Sequence, residues 1–280
     1  MSEEHVPNVS SRRLGRELRT LREARRIPCD EAAAMLGRDV MWLVQIEIGQ
    51  DQIVVDDLLG LLNLYAVTDE GARAGLAELA DRAAGPAWLK PHAGWLTDVQ
   101  RDFIILESDA NSVWAFGIPL MPDLLRTEPY ARMIATATRL PGSPGSVDEE
   151  VDLLLHRQGH QVTGQVRAMH VILDESAITR FVARPDLMRG QLQHLLDRVE
   201  QGHTVVQLIP HEVGAHVGLD GAFHILGFPG DAEPNVSISH SALGPLQSYI
   251  ELDDHFGQLE EVALSPADSL FMIEQALGEM

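Results

Sequence analysis

The sequence predicts an α+β chain, with an N-terminal all-α domain of five helices followed by a C-terminal α/β domain built on a central mixed sheet. Three observations predict it. Apolar residues recur at helical spacing from Leu14 to Tyr65, punctuated by caps and breakers. A stretch with Gly85, Pro86, Pro91 and Gly94 then interrupts the pattern. Beyond residue 97, short β-branched and aromatic runs alternate with helical segments, which is the pattern of a sheet covered by helices.

Leu14, Leu18 and Leu21 fall at i, i+4 and i+7, an apolar stripe on an Arg-rich helix that must stop by Pro28. Asp30 and Glu31 place acids in the first turn of a short second helix, broken at Gly37. Asp39 can cap a third helix running to Gly49, and two short helices across so tight a turn form a helix-turn-helix. Asp56 to Tyr65 supplies a fourth, with Leu58, Leu59, Leu61 and Leu62 expected to close the bundle. Asp69 to Ala84 supplies a fifth, ended by Gly85-Pro86. The expected domains are 10–80, a linker over 81–96, and 97–280.

In the second domain, 98–110 reads as a helix or a strand-helix mix leading into a strand at 113–117. Helices are expected at 128–140, 147–158, 186–201, 245–261 and 267–277, and strands at 169–174, 204–209, 222–228 and 236–240.

Composition narrows the function classes. A net charge of −21 over 280 residues disfavours a general polyanion binder and an anionic-membrane binder. The single cysteine, Cys29, excludes an internal disulfide, and its expected role is that of a small buried residue. The chain shows neither a signal peptide nor a long apolar span, so a cytoplasmic protein with no membrane partner is expected.

Charge is uneven inside the first domain. From Ser10 to Pro28 there are seven Arg and two Glu; from Cys29 to Val67, Arg38 alone stands against seven acids. The third helix offers Val44, Gln45 and Ile48 outward, so Gln45, with Gln50 just beyond it, is the group able to pair with a base edge.

Four segments carry a resemblance: Leu14-Gly-Arg-Glu-Leu-Arg-Thr-Leu-Arg22, Met35-Leu-Gly37, Trp42-Leu-Val-Gln-Ile-Glu-Ile-Gly49 and Leu61-Leu-Asn-Leu-Tyr65. In this order they resemble the lambda-repressor-like, xenobiotic-response-element type of DNA-binding domain, in particular its actinobacterial branch. Val44-Gln45 stands where that family usually has Ser-Arg, and Ile48 where a second Arg is common. The resemblance implies DNA as partner, with Arg19, Arg22, Arg25 and Arg26 at phosphates and Arg38, Gln45 and Gln50 nearest the bases. It also implies a homodimer, since half-site reading usually uses a two-fold pair.

The second domain carries its own ordered motifs: Pro122 to Ala131, Arg157-Gln158, Val171 to Glu175, Met188 to Leu195, Val206 to His216 and Phe256 to Ser269. They resemble the C-terminal domain of WhiJ-type, antitoxin-like transcription regulators, which implies a unit that receives a small molecule or a small partner protein. The departures fall on polar positions. They make Asp123, Arg126, Tyr130, Arg157 and His240 the expected ligand-binding set, with Arg126, Tyr130 and His240 lining a cavity for an anionic or carbonyl-bearing molecule.

Other chemistry is weakly supported. His156 and His160 at i, i+4 lack the glutamate of a zinc-peptidase helix. His211 and His216 flank Glu212 as a possible ligand set and Asp174-Glu175 at a strand end could serve acid-base chemistry, but the family resemblance implies a structural loop and a scaffold role such as capping the next helix. No serine or cysteine lies in a nucleophile-elbow context, no glycine-rich loop leads into a phosphate-binding helix, and no metal or cofactor is expected. The reading is a DNA-binding transcription regulator, antitoxin-like, with a signal-receiving second domain. Its alternative is a repurposed regulator that has lost DNA binding and binds or converts a small molecule in its second domain.

Overall fold

The computed structural model describes residues 9–163, 168–180, 184–228, 235–241, 244–248 and 252–280. The chain divides into two compact units between Asp109 and Ala110.

The first unit is all helical: α1 (Val9–Ala24), α2 (Cys29–Met35), α3 (Val40–Glu47), α4 (Val55–Leu64), α5 (Glu70–Ala83) and α6 (Asp98–Asp109), with a 3-10 segment at Ala87–His92. Helix α1 stops short of Pro28 because the chain turns at Arg26, which takes a left-handed φ of 57°. Asp39 caps α3 by accepting from the Met41 N–H at 2.7 Å, and Asp69 caps α5 by accepting from Ala72 N–H at 2.7 Å. Leu14, Leu18, Leu43, Ile46, Leu58, Leu61, Leu62 and Tyr65 form one buried core, with Leu76 and Leu79 closing it from α5. Leu59 departs from expectation: it is exposed, because the stripe that meets α1 and α3 passes through Leu58, Leu61 and Leu62 and turns the next position outward.

The second unit is a six-stranded mixed sheet in the order β3-β2-β1-β4-β5-β6. Its strands are β1 (Ser112–Gly117), β2 (Ala168–Asp174), β3 (Thr204–Ile209), β4 (Phe223–Gly227), β5 (Val236–Ser241) and β6 (Gly244–Ser248). β1, β2 and β3 run parallel, in register Phe116 to Ile172 and Ile172 to Gln207, whereas β4, β5 and β6 are antiparallel. The parallel crossovers carry α7 (Glu128–Thr138) and α8 (Val147–Thr163), then α9 (Ser176–Thr179) and α10 (Pro185–Glu200). α11 (Asp253–Val262) and α12 (Pro266–Gly278) follow the last strand.

Phe116, Ile172, Ile209, Phe223 and Ile225 on the sheet pack with Phe256 and Leu259 of α11. Edge strand β3 is closed by the chain after α11: Leu264 N–H donates to Leu208 O at 2.8 Å, and Leu208 N–H donates to Ser269 Oγ at 2.9 Å. That occupies both outward backbone groups of Leu208, through which this edge could otherwise recruit another chain.

Two expectations shift here. The segment 98–109 is wholly helical, and the helix expected from Pro245 is instead strand β6, with α11 beginning at Asp253. A proline fits there because it has no N–H to lose on an edge strand, and β5 beside it supplies the pairing that local sequence cannot show.

Candidate functional sites

In the first unit, α2 and α3 form the helix-turn-helix around Gly37, whose φ of +68° turns the chain without a side-chain penalty. The pair is held close to α1. A Cβ on Gly15 would lie 2.5 Å from the carbonyl oxygens of both Ile46 and Glu47, so only glycine lets α1 and α3 approach this far. Leu43, Ile46 and Glu47 face inward; Val40, Met41 and Ile48 are exposed, and Val44 and Gln45 are partly so. Gln50 is exposed at the end of the helix.

Glu47 explains how a carboxylate sits in that core. Arg22 reaches from α1 and donates through Nε to Oε1 at 2.6 Å and through Nη2 to Oε2 at 2.8 Å, while its Nη1 donates to Ile27 O at 2.9 Å. Both side chains are nearly buried, 11% and 6% exposed. The carboxylate raises the guanidinium's proton affinity, and burial works against it. Arg25 is tied as well, donating to Tyr65 O at 2.6 Å and Ala66 O at 3.1 Å at the end of α4. Arg38 makes a two-point pair with Asp57 at 2.7 and 3.3 Å and lies 5.5 Å from the Trp42 ring centroid.

The Arg residues expected at phosphates therefore separate. Arg22 is drawn into the fold, whereas Arg19, Arg25 and Arg26 stay exposed, Arg25 tied to the end of α4 and Arg19 bridging to Glu23 at 2.8 Å. Arg13 and Arg16, which the sequence reading passed over, are also exposed on α1.

In the second unit, the loop after β1 gathers most of the expected ligand set. Asp123 pairs with Arg126 at 2.7 Å and with Arg157 of α8 at 3.2 Å. Arg126 Nε also donates to Met121 O at 2.7 Å. Tyr130, fully buried, accepts from Met121 N–H at 3.4 Å, and burial pushes its phenol pKa up. Gln158 donates to the carbonyls of Asp123 and Arg126 at 2.9 and 2.8 Å. Gln191 of α10, also fully buried, donates to Leu125 O at 2.6 Å and accepts from Thr127 N–H at 2.8 Å. Asp123, Arg126, Tyr130 and Arg157 thus meet, but they spend these bonds on one another and on the loop backbone. His240 lies on β5 opposite Pro245, and its side chain is outside the described residues.

Two motif families converge nearby on the carboxyl ends of β2 and β3. Asp174 Oδ1 accepts from the Ser176 N–H at 2.9 Å and from its hydroxyl, fixing the turn from β2 into α9. Its Oδ2 lies 3.5 Å from His216 Nε2, whose ring is edge-on to Phe116. His216 Nδ1 accepts from Gly218 N–H at 3.2 Å, and Glu175 accepts from His211 N–H at 2.7 Å. These groups fasten the glycine-rich loop to the sheet. Gly218 is required in that loop, since a Cβ there would fall 2.4 Å from the Phe116 ring.

Residues 100–275 match the model of a domain of unknown function, DUF5753, and residues 13–75 match a helix-turn-helix domain. The chain belongs to the DUF5753 family. No curated protein and no solved structure matches it. The DUF5753 match spans the polar loop, the glycine-rich loop and α11, while the first unit supplies a helix-turn-helix of the kind that transcription regulators use on DNA. Among the described residues, no helix is long and apolar enough to cross a membrane.

What the sequence reading missed in the DUF5753 unit is Gln191. It sits on the apolar face of α10 with Met188, Leu192 and Leu195, and a polar residue at a buried helical position was the available signal.

Proposed function

We propose that this DUF5753 protein is a DNA-binding transcription regulator of the actinobacterial, WhiJ-like, antitoxin-like kind. In this reading a helix-turn-helix module over 10–80 reads DNA as a homodimer, a linker covers 81–96, and the unit over 97–280 receives a small molecule or a small partner protein in the cytoplasm. The observation that carries it is the outward face of α3 on an intact helix-turn-helix scaffold, with Gln45 partly exposed on it and Gln50 exposed just beyond, side chains whose amides can pair with base edges. Exposed Arg19 and Arg26 are the phosphate contacts, and Arg38 contributes less because Asp57 offsets its charge.

For the second unit, Asp123, Arg126, Tyr130, Arg157 and His240 are the proposed ligand-binding set. A ligand with a carboxylate would compete with Asp123 for the two guanidinium groups, so binding would open the loop that Asp123 now closes.

The test is fluorescence anisotropy of the full chain with a mixed-sequence duplex at several salt concentrations. Arg19→Ala with Arg26→Ala should weaken binding and flatten the log–log salt slope by about two units, roughly one per lost phosphate contact. No binding at low salt overturns the DNA reading. The repurposed-regulator alternative draws on a specific observation, the commitment of Arg22 and Arg25 to the fold.

A further inference from the structure

The exposed apolar side chains of this protein are not scattered. Seven of the fourteen large ones among the described residues lie between Met35 and Leu59, on the helix-turn-helix and the start of α4. Val40, Val44 and Ile48 recur at i, i+4 and i+8, and Met41 flanks them, so the outward face of α3 is an apolar stripe in which Gln45 is the polar residue. Met35 at the end of α2, with Val54 and Val55 at the start of α4, is more than half exposed. An outward helix face is normally polar, so a stripe of this kind marks a surface that something else covers.

The surrounding charge says what can cover it. Between Cys29 and Val67 the one cation, Arg38, is paired with Asp57, and Glu47 is paired with Arg22. Asp30, Glu31, Asp39, Asp51 and Asp56 remain, five exposed carboxylates with no ion pair to a described residue. These carboxylates lower the affinity of the face for phosphate, and apart from Gln45 and Gln50 it can offer a duplex little beyond contact with thymine methyl groups. A second copy of the same face would bring like charges together. A protein segment with an apolar face edged by Lys or Arg fits both features, and the two methionines suit it because their unbranched side chains repack to the shape presented.

We propose that the outward face of α3, with the flanking ends of α2 and α4, docks a basic amphipathic segment of another protein, and that this docking excludes DNA from the same face. The second clause rests on the DNA-binding reading above; the first stands without it. Such a partner would switch the regulator off operator DNA by covering its reading helix.

The test uses the full chain and a labelled eighteen-residue helical peptide of Leu and Lys in amphipathic order. Two controls accompany it, one with Ser in place of Leu and one with Glu in place of Lys. The Leu/Lys peptide should bind at least tenfold tighter than either control. Met41→Ser with Ile48→Ser should weaken it tenfold, and Phe271→Ser, an exposed apolar residue on α12, should leave it unchanged. Met41→Gln alone should weaken it severalfold, which keeps the test open if the double variant folds poorly. Equal binding of the Ser/Lys peptide, or equal loss in Phe271→Ser, overturns the docking. So does a double variant that weakens duplex binding but not peptide binding. A bound duplex that saturating peptide fails to displace overturns the exclusion. Peptide binding at Met41 and Ile48 with no duplex binding at low salt leaves the docking standing and removes the DNA reading, and with it the exclusion.

Discussion

Glu47→Ala separates the structural use of an arginine from a DNA-binding use. Arg22 meets Glu47 through two bonds of 2.6 and 2.8 Å in a site where the two side chains are 11% and 6% exposed. Removing the carboxylate strands a guanidinium that cannot shed its proton. Breaking a buried pair from one side costs about 3–5 kcal/mol. The lower end applies here, because Arg22 keeps its bond to Ile27 O and has Glu23 within 3.9 Å. Against the roughly 5–15 kcal/mol that holds a domain folded, about 3 kcal/mol is a large fraction. Replacing both residues, Arg22→Met with Glu47→Leu, should return stability to within about 1 kcal/mol of the parent, since apolar replacement of a whole buried pair is often neutral or better. Hydrogen–deuterium exchange of α1 and α3 amides in a urea series reads the first unit separately from the DUF5753 unit. A Glu47→Ala loss under about 0.5 kcal/mol, or a double variant no better than the single, would refute the reasoning. The same pair predicts that Arg22→Ala loses duplex affinity together with amide protection, whereas Arg26→Ala loses affinity with protection intact.

Two further outcomes follow from buried polar groups. Burial raises the Tyr65 phenol pKa, with Glu47 adding to it, so the unfolded chain releases this proton near pH 10 while the folded unit still holds it. Stability from this group should be complete below pH 10 and fall above it, by at most about 1.4 kcal/mol per pH unit, in urea titrations of the first unit. Tyr65→Phe should abolish that fall and stabilise the unit by up to about 1 kcal/mol at neutral pH, because the hydroxyl is buried without a hydrogen-bond partner among the described residues; a loss of stability at neutral pH would show that the hydroxyl is satisfied after all. Gln191→Leu should cost about 2–3 kcal/mol and expose the amides of residues 123–127 to exchange, since Leu125 O and Thr127 N–H lose their partner. Unchanged protection there would mean that the loop is held by Asp123 and Gln158 instead.

The helical unit was legible because its signals are local. Leucines at i, i+4 and i+7, a capping aspartate and a glycine at a left-handed turn act within a few residues, and each lies where the periodicity puts it. The strands β1 to β5 were legible for a similar reason, as β-branched runs bounded by turns. β6 was not. Its proline and leucine mimic a helix start, and only the partner strand β5 reveals the segment as an edge.

Side-chain use was less legible than element type. Asp123 and Arg126 could be singled out as departures from a pattern, and three-dimensional proximity joined them with Arg157 through one carboxylate. Sequence could not show that their bonds go to each other and to the loop backbone.

By itself, the sequence determined the helices of the first unit, the sheet strands β1 to β5 that follow them and the acidity of the segment after Pro28, because periodicity, capping and charge are properties of neighbouring residues. The tertiary structure decided which of seven arginines from Arg12 to Arg26 is buried in an ion pair, and which apolar residues face outward. Arg22 and Arg19 look alike along the chain, three residues apart on one helix. The close approach of α3 at Gly15 sets Glu47 against one of them, and a buried charge must be paired where an exposed one need not be.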